Sequence, residues 1–149
     1  MDLLTVLKLI AISLLPWIEL RGSIPIGISM GLNPLHVFLI CTLSDIILIP
    51  LLLLAFKIAI PLILRIDIVN RFYQWNVVGT LKRYEKYKKW EEIGLALFVA
   101  IPLPFTGVYS GTFVSYLLNL KKGEAFLSIA MGAGIAGVIV TLLSIGLLG

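Results

Sequence analysis

Four apolar stretches run along the chain, and two of them are interrupted. The first extends from about Leu3 to Leu32 and is broken near residues 16–25. The second runs unbroken from about Leu35 to Leu64. A polar linker covers about Arg65 to Glu92. The third stretch runs from about Ile93 to Leu120, broken at residues 102–107, and the fourth from about Glu124 to Leu148. A hydrocarbon core of about 30 Å takes about 20 helical residues. The second and fourth stretches therefore predict transmembrane helices. The second is longer than it needs to be and contains Pro50 and Pro61, which predicts a tilt, a kink or both. Asn33-Pro34 suits its start, with Asn as N-cap and Pro at the first helical position. Glu124 suits the first turn of the fourth, where a carboxylate favours the helix dipole.

The two interruptions share a design. Pro16-Trp17-Ile18-Glu19-Leu20-Arg21-Gly22-Ser23-Ile24-Pro25-Ile26-Gly27 breaks the first stretch, and Pro102-Leu103-Pro104-Phe105-Thr106-Gly107 breaks the third. Small residues four apart follow each: Ser23, Gly27 and Gly31, then Gly107, Gly111 and Ser115. The half on either side of a break is about 12–15 residues, or about 20 Å of helix. That is too short to span, and about right to reach the midplane. Proline-interrupted apolar segments in matching positions of two halves point to a transporter's binding site.

Composition sharpens this picture. The 149 residues are 60% hydrophobic, against about 45–50% in soluble domains, which predicts an integral membrane protein with one domain, residues 1–149. The net charge of +4 concentrates in the linker: Arg65, Arg71, Lys82, Arg83, Lys86, Lys88 and Lys89. It therefore reports membrane orientation rather than nucleic-acid binding. Lys121 and Lys122 separate the third and fourth stretches, and the Asn33-Pro34 turn carries no positive charge. If both broken stretches re-enter, the linker and Lys121-Lys122 fall on one side. If each crosses once, they fall on opposite sides. The positive-inside rule favours re-entry, with the linker cytoplasmic and the termini outside. The expected fold is all-α and membrane-embedded. It has two inverted-topology repeats, residues 1–64 and 93–149, each a re-entrant helical hairpin plus a transmembrane helix. The linker, residues 65–92, joins them as an amphipathic cytoplasmic helix. Its Ile68, Phe72, Trp75 and Val78 recur at helical spacing, and Tyr84, Tyr87 and Trp90 suit the interface. The N-terminal stretch continues past Pro16 without a cleavage pattern and reads as mature structure.

The candidate chemistry is sparse and charged. Ionisable groups within a membrane are costly, and they pair or line a cavity. Glu19 and Arg21 lie in the first break, Glu19 as a candidate proton carrier and Arg21 as a fork for phosphate or carboxylate. A purely structural ion pair is the alternative. Asp45 falls about 18 Å into its helix, level with the hairpin tips, as a partner for Arg21 or part of a proton relay. Ser44 and Thr42 would support a polar pocket there. The second break offers backbone groups, the Thr106 hydroxyl and Gly107, with Tyr109, Ser110 and Thr112 adding hydroxyls. The amide end of the half-helix that follows is expected to face an anion. Pro25, Pro102 and Pro104 shape the two turns of this binding site. The glycines of both stripes, with Gly132, Ala133, Gly134, Ala136 and Gly137, read as close helix packing. Lys57 reads as a snorkelling side chain, and Cys41 as a small buried hydrophobe. A single histidine, His36, predicts no metal site, and no cofactor is expected. The chain carries no paired-histidine motif, Gly-x-Ser-x-Gly elbow or phosphate loop, so no enzymatic activity is expected.

On the two quoted breaks, the second extended through Val108-Tyr109-Ser110-Gly111-Thr112, the chain resembles the small multidrug export protein family over nearly its whole length. More distantly its layout is similar to the DedA superfamily. That resemblance implies two re-entrant hairpins, each followed by membrane helices, and movement of lipids such as polyprenyl phosphates linked to the proton-motive force. Glu19 with Pro16 and Pro25 resembles the acidic first hairpin of that superfamily. The second hairpin has Pro102, Pro104 and Gly107 but lacks the arginine, for which Arg21 would substitute. The further helices of DedA proteins are absent, which suggests a minimal core completed by a second copy, a homodimer. Three functions follow. One is proton-coupled translocation of an anionic lipid carrier, and the second is export of small lipophilic cations. The third is a non-transporting membrane scaffold.

Overall fold

Prolines and capping residues set where the apolar stretches break and restart. The computed structural model describes residues 2–67, 70–71, 90–103 and 106–148. Six helices of ten residues or more carry the fold: α1 (Leu3–Ser13), α2 (Glu19–Ser29), α3 (Pro34–Ile63), α4 (Glu91–Ala100), α5 (Val108–Leu117) and α6 (Lys122–Leu148). The linker residues Ile68, Phe72, Trp75, Val78, Tyr84 and Tyr87, and Pro104 of the second break, lie outside the described residues.

The two long helices match the unbroken stretches. α3 has 30 residues and α6 has 27, so they measure about 45 and 40 Å. Both are long and apolar enough to cross a membrane. Asn33 caps α3 as expected: its Oδ1 accepts from the Leu35 N–H at 2.9 Å, and Pro34 opens the helix. Glu124 lies in the first turn of α6 and pairs with Lys121 at 3.1 Å. Pro50 and Pro61 are exposed within α3, which continues through both as one helix. Leu43, Ile47, Leu51, Leu54, Ile58 and Leu62 of α3 are all more than half exposed. Such a row of large side chains needs an apolar solvent. This is a membrane protein.

α3 and α6 lie side by side in opposite directions. Leu35 and Phe38 near the start of α3 face Val138, Leu142 and Ile145 near the end of α6. Phe56 and Lys57 near the end of α3 share a cavity with Lys122, the first residue of α6. Glycines set the spacing. A Cβ on Gly137 would come within 2.6 Å of Thr42 Oγ1, and one on Gly132 within 2.6 Å of the Ala96 carbonyl. α6 thus presses closely on both α3 and α4, the packing expected of small residues.

The short helices double back. A Cβ on Gly27 of α2 would meet Leu9 of α1 at 3.1 Å, although eighteen positions separate them. One on Gly111 of α5 would meet Val99 of α4 at 2.5 Å. Both second halves end alike. Gly31 (φ 76) and Asn119 (φ 54) take the left-handed conformation just past α2 and α5. Leu32 N–H then bonds the Gly27 carbonyl, and Leu120 N–H bonds the Ser115 carbonyl. This is the Schellman stop, and a long helix begins within three residues of it each time. Gly31 has open space around it, so its role is conformational and not close packing.

The first break is shorter than expected. Residues 14–18 leave the helix, and Glu19 already opens α2. Pro25 lies inside α2. Its missing N–H removes only the helical bond to the Arg21 carbonyl, and the helix runs on.

Candidate functional site

The tips of the two doubled-back segments meet, and several hydrogen bonds between them serve broken helix ends. The end of α1 and the start of α2 flank residues 14–18, and the end of α4 and the start of α5 flank residues 101–107. A helix start leaves N–H groups unpaired and its end leaves carbonyls unpaired. In apolar surroundings each such group costs several kcal/mol. Here side chains of the other segment serve several of these groups.

Glu19 serves the start of α5. Its Oε2 accepts from the Val108 N–H at 3.1 Å and its Oε1 from the Tyr109 N–H at 3.2 Å. Glu19 itself is only 4% exposed and has φ 47, a left-handed conformation. For a residue other than glycine that conformation costs about 1–3 kcal/mol and clusters at functional sites. It turns the carboxylate across to the second tip. Gly107 makes room, because a Cβ there would overlap the Glu19 carboxylate.

Arg21 serves the end of α4. Its Nη2 lies 3.0 Å from the Val99 carbonyl, 3.3 Å from the Ile101 carbonyl and 3.1 Å from Thr106 Oγ1. Its Nη1 pairs with Glu19 Oε2 at 2.9 Å. Thr106 passes the connection on, its hydroxyl lying 2.6 Å from the Ile101 carbonyl and 2.9 Å from that of Leu103. The signs match the helix dipoles: a carboxylate at an amide end, a guanidinium at a carbonyl end.

The first break is served in the same way. Asp45, fully buried on α3, accepts from the Leu20 N–H at the start of α2 at 3.0 Å and from the Ser13 hydroxyl at 2.5 Å. The Tyr109 hydroxyl donates to the Leu14 carbonyl at the end of α1 at 2.6 Å. The expected residues Glu19, Arg21, Asp45, Thr106 and Gly107 thus come together. Pro102 lies in the second break, and Pro25 sits one turn past Arg21. Asp45 makes no hydrogen bond to Arg21. Ser44 donates to the Ile40 carbonyl of its own helix, and Thr42 Oγ1 is buried without a partner, so neither joins the cluster.

The amide end of α5, expected to face an anion, faces the Glu19 carboxylate. Ser13, outside the residues singled out from the sequence, also belongs to the site. Its signal was being the lone polar residue between Leu9 and Pro16 in an apolar run.

Beside the cluster lies a cavity of about 210 Å3, walled by Pro16, Trp17, Ile18, Glu19, Arg21, Gly107 and Ser110. The sequence matches, over residues 19–139, the family described as "Putative small multi-drug export protein". The chain belongs to that family. No curated protein and no solved structure matches it. The family match opens at Glu19 and takes in Arg21, Asp45, Thr106 and Gly107, together with all of α3 and α6 as far as residue 139. Family and apolar helices agree on a membrane protein whose name indicates export.

Proposed function

We propose that this small multidrug export family member is a secondary transporter that exchanges small lipophilic cations for protons at Glu19. The observation that carries this is the charge of the buried cluster. Two buried carboxylates, Glu19 and Asp45, stand in the cluster with a single guanidinium, that of Arg21, which pairs with Glu19. With both carboxylates ionised the cluster carries one surplus negative charge, and a proton or an organic cation balances it. Arg21 is committed to Glu19 and to the end of α4. The apolar walls at Pro16, Trp17 and Ile18 suit the body of a lipophilic cation, with an aromatic face to receive its charge. The family's printed description is in keeping with this. On this reading the protein is a carrier and not an enzyme.

One observation favours a second reading. The Val108 and Tyr109 amides and Arg21 Nη1 converge on one carboxylate. The same donors suit a phosphate once a proton neutralises Glu19 and releases it. An anionic lipid carrier such as a polyprenyl phosphate, with a DedA-like layout, fits that arrangement.

The proposed membrane arrangement has two re-entrant hairpins entering from opposite faces, as inverted repeats. The opposed directions of α3 and α6 support it, as do the matching stops at Gly31 and Asn119. Lys57, Arg65, Lys121 and Lys122 gather at one end, which the positive-inside rule makes cytoplasmic and leaves the termini outside. Lys8 on α1 is an exception. A homodimer would enclose a pathway that so small a core leaves open to lipid. Efflux of tetraphenylphosphonium from proteoliposomes under an imposed pH gradient, beside movement of a labelled polyprenyl phosphate, separates the two readings. Cation movement alone supports the first and lipid movement alone the second.

A further inference from the structure

A second cavity, of about 220 Å3, opens where the end of α3 meets the end of α5 and the start of α6. It lies away from the Glu19–Arg21 cluster and shares no lining residue with the first cavity. Lys57 from α3 and Lys122 from α6 both line it, joined by Tyr116 and Asn119. Among the described residues neither lysine has an acidic partner. Lys121, beside Lys122, shows the alternative: it is paired with Glu124. Tyr116 and Asn119 likewise make no side-chain hydrogen bond within the described residues. Four side chains able to donate, from three helices and the turn after α5, therefore line one small cavity that holds no carboxylate among the described residues. Both lysines are exposed and bring positive charge to the same cavity, which favours an anion there. Leu53, Phe56 and Leu120 form the apolar part of the wall, and the Thr112 and Ser115 hydroxyls, which donate to carbonyls of their own helix, complete it. Phe56 packs on Phe113, which is 40% exposed on the outer surface.

We propose that this cavity binds a phosphate anion, in the form of an anionic phospholipid headgroup. The volume of about 220 Å3 accommodates a phosphate group. Basic pockets between membrane helices at the cytoplasmic end are the sites that take such headgroups. The exposed face at Phe113 gives the acyl chains an apolar surface beside the cavity. Snorkelling accounts for Lys57 alone. It does not account for a second lysine from another helix, with a tyrosine and an asparagine, around the same space. This inference is independent of the transport reading.

Native mass spectrometry of the full chain tests it, with dioleoyl phosphatidylglycerol, the matching phosphatidylcholine, or inorganic phosphate added. Wild type should retain phosphatidylglycerol in preference to phosphatidylcholine. Lys57→Gln with Lys122→Gln should weaken that retention by about ten-fold or more. Arg65→Gln with Lys121→Gln removes the same charge at the same end, outside the cavity, and should retain the lipid. Lys57→Arg should restore binding. If millimolar inorganic phosphate displaces the lipid from wild type, the site is one for phosphate whatever its source. If it does not, the lipid body is part of recognition. Equal retention of the two lipids, or equal loss in both double variants, overturns the proposal. Melting in phosphatidylcholine detergent mixtures checks that each variant is folded.

Discussion

Arg21 Nη1 lies 2.9 Å from Glu19 Oε2, and the pair straddles the break between α4 and α5. The carboxylate covers the amides that start α5, and the guanidinium covers the carbonyls that end α4. The ion pair therefore does what a structural pair and a binding site each do. It satisfies backbone that lipid cannot, and it places opposite charges beside a cavity. Removing either partner strands the other. Glu19→Ala and Arg21→Ala are each expected to cost about 3–5 kcal/mol. The double variant should cost clearly less than the sum, with a coupling of about 0.5–3 kcal/mol. Unfolding of the purified protein in mild detergent measures this, and additive losses would contradict the shared role.

Asp45 caps α2 through the Leu20 amide and holds the Ser13 hydroxyl. Asparagine keeps an oxygen for Leu20, whereas alanine leaves that amide buried and unpaired. Asp45→Ala should lower stability by about 1–3 kcal/mol more than Asp45→Asn. Ser13→Ala should cost about 1 kcal/mol. The same unfolding measurement ranks the three, and equal losses for Asn and Ala would remove the capping role.

Gly107 is the spacer of the site. Its φ is −80, so the backbone there accepts any residue. The nearest atoms a side chain at this position would meet are those of the Glu19 carboxylate. Gly107→Ala should push that carboxylate off the Val108 and Tyr109 amides, lowering both stability and transport. Gly134→Ala, with nothing within 4 Å, should change neither. Melting temperature and dye efflux compare the two, and matched behaviour would exclude a steric role for Gly107.

The arrangement in the membrane makes a prediction about sides. With Cys41→Ser as background, single cysteines replacing Arg65 and Lys121 should be labelled by an impermeant maleimide from the same face of oriented vesicles. A cysteine replacing His36, at the start of α3, should be labelled from the opposite face. Arg65 and Lys121 on opposite faces would instead indicate four simple crossings.

Local rules made much of this legible in the sequence. Asn33-Pro34 announced the start of α3, and Glu124 the first turn of α6. Gly27, Gly111, Gly132 and Gly137 read as close packing and are so. The apolar runs gave the two long helices. Pro25 reads as a helix breaker, which extends the expected first break to residue 25. Within α2 it costs one bond, and the chain turns at residues 14–18 instead. Glu19 and Arg21 stood out as charges in an apolar stretch, but their partners did not. Val99, Val108 and Tyr109 lie 78 to 90 positions away and contribute backbone atoms, which no residue type advertises. The left-handed turn at Glu19 was equally silent, since glutamate does not favour it.

The most direct test of the central claim is proton-driven tetraphenylphosphonium efflux from proteoliposomes, wild type beside Glu19→Gln. Glutamine keeps an acceptor for the α5 amides but cannot exchange a proton or balance a cation. The account predicts pH-gradient-dependent efflux by wild type and none by a folded Glu19→Gln. Full efflux by Glu19→Gln would contradict it and leave the ion pair a purely structural brace.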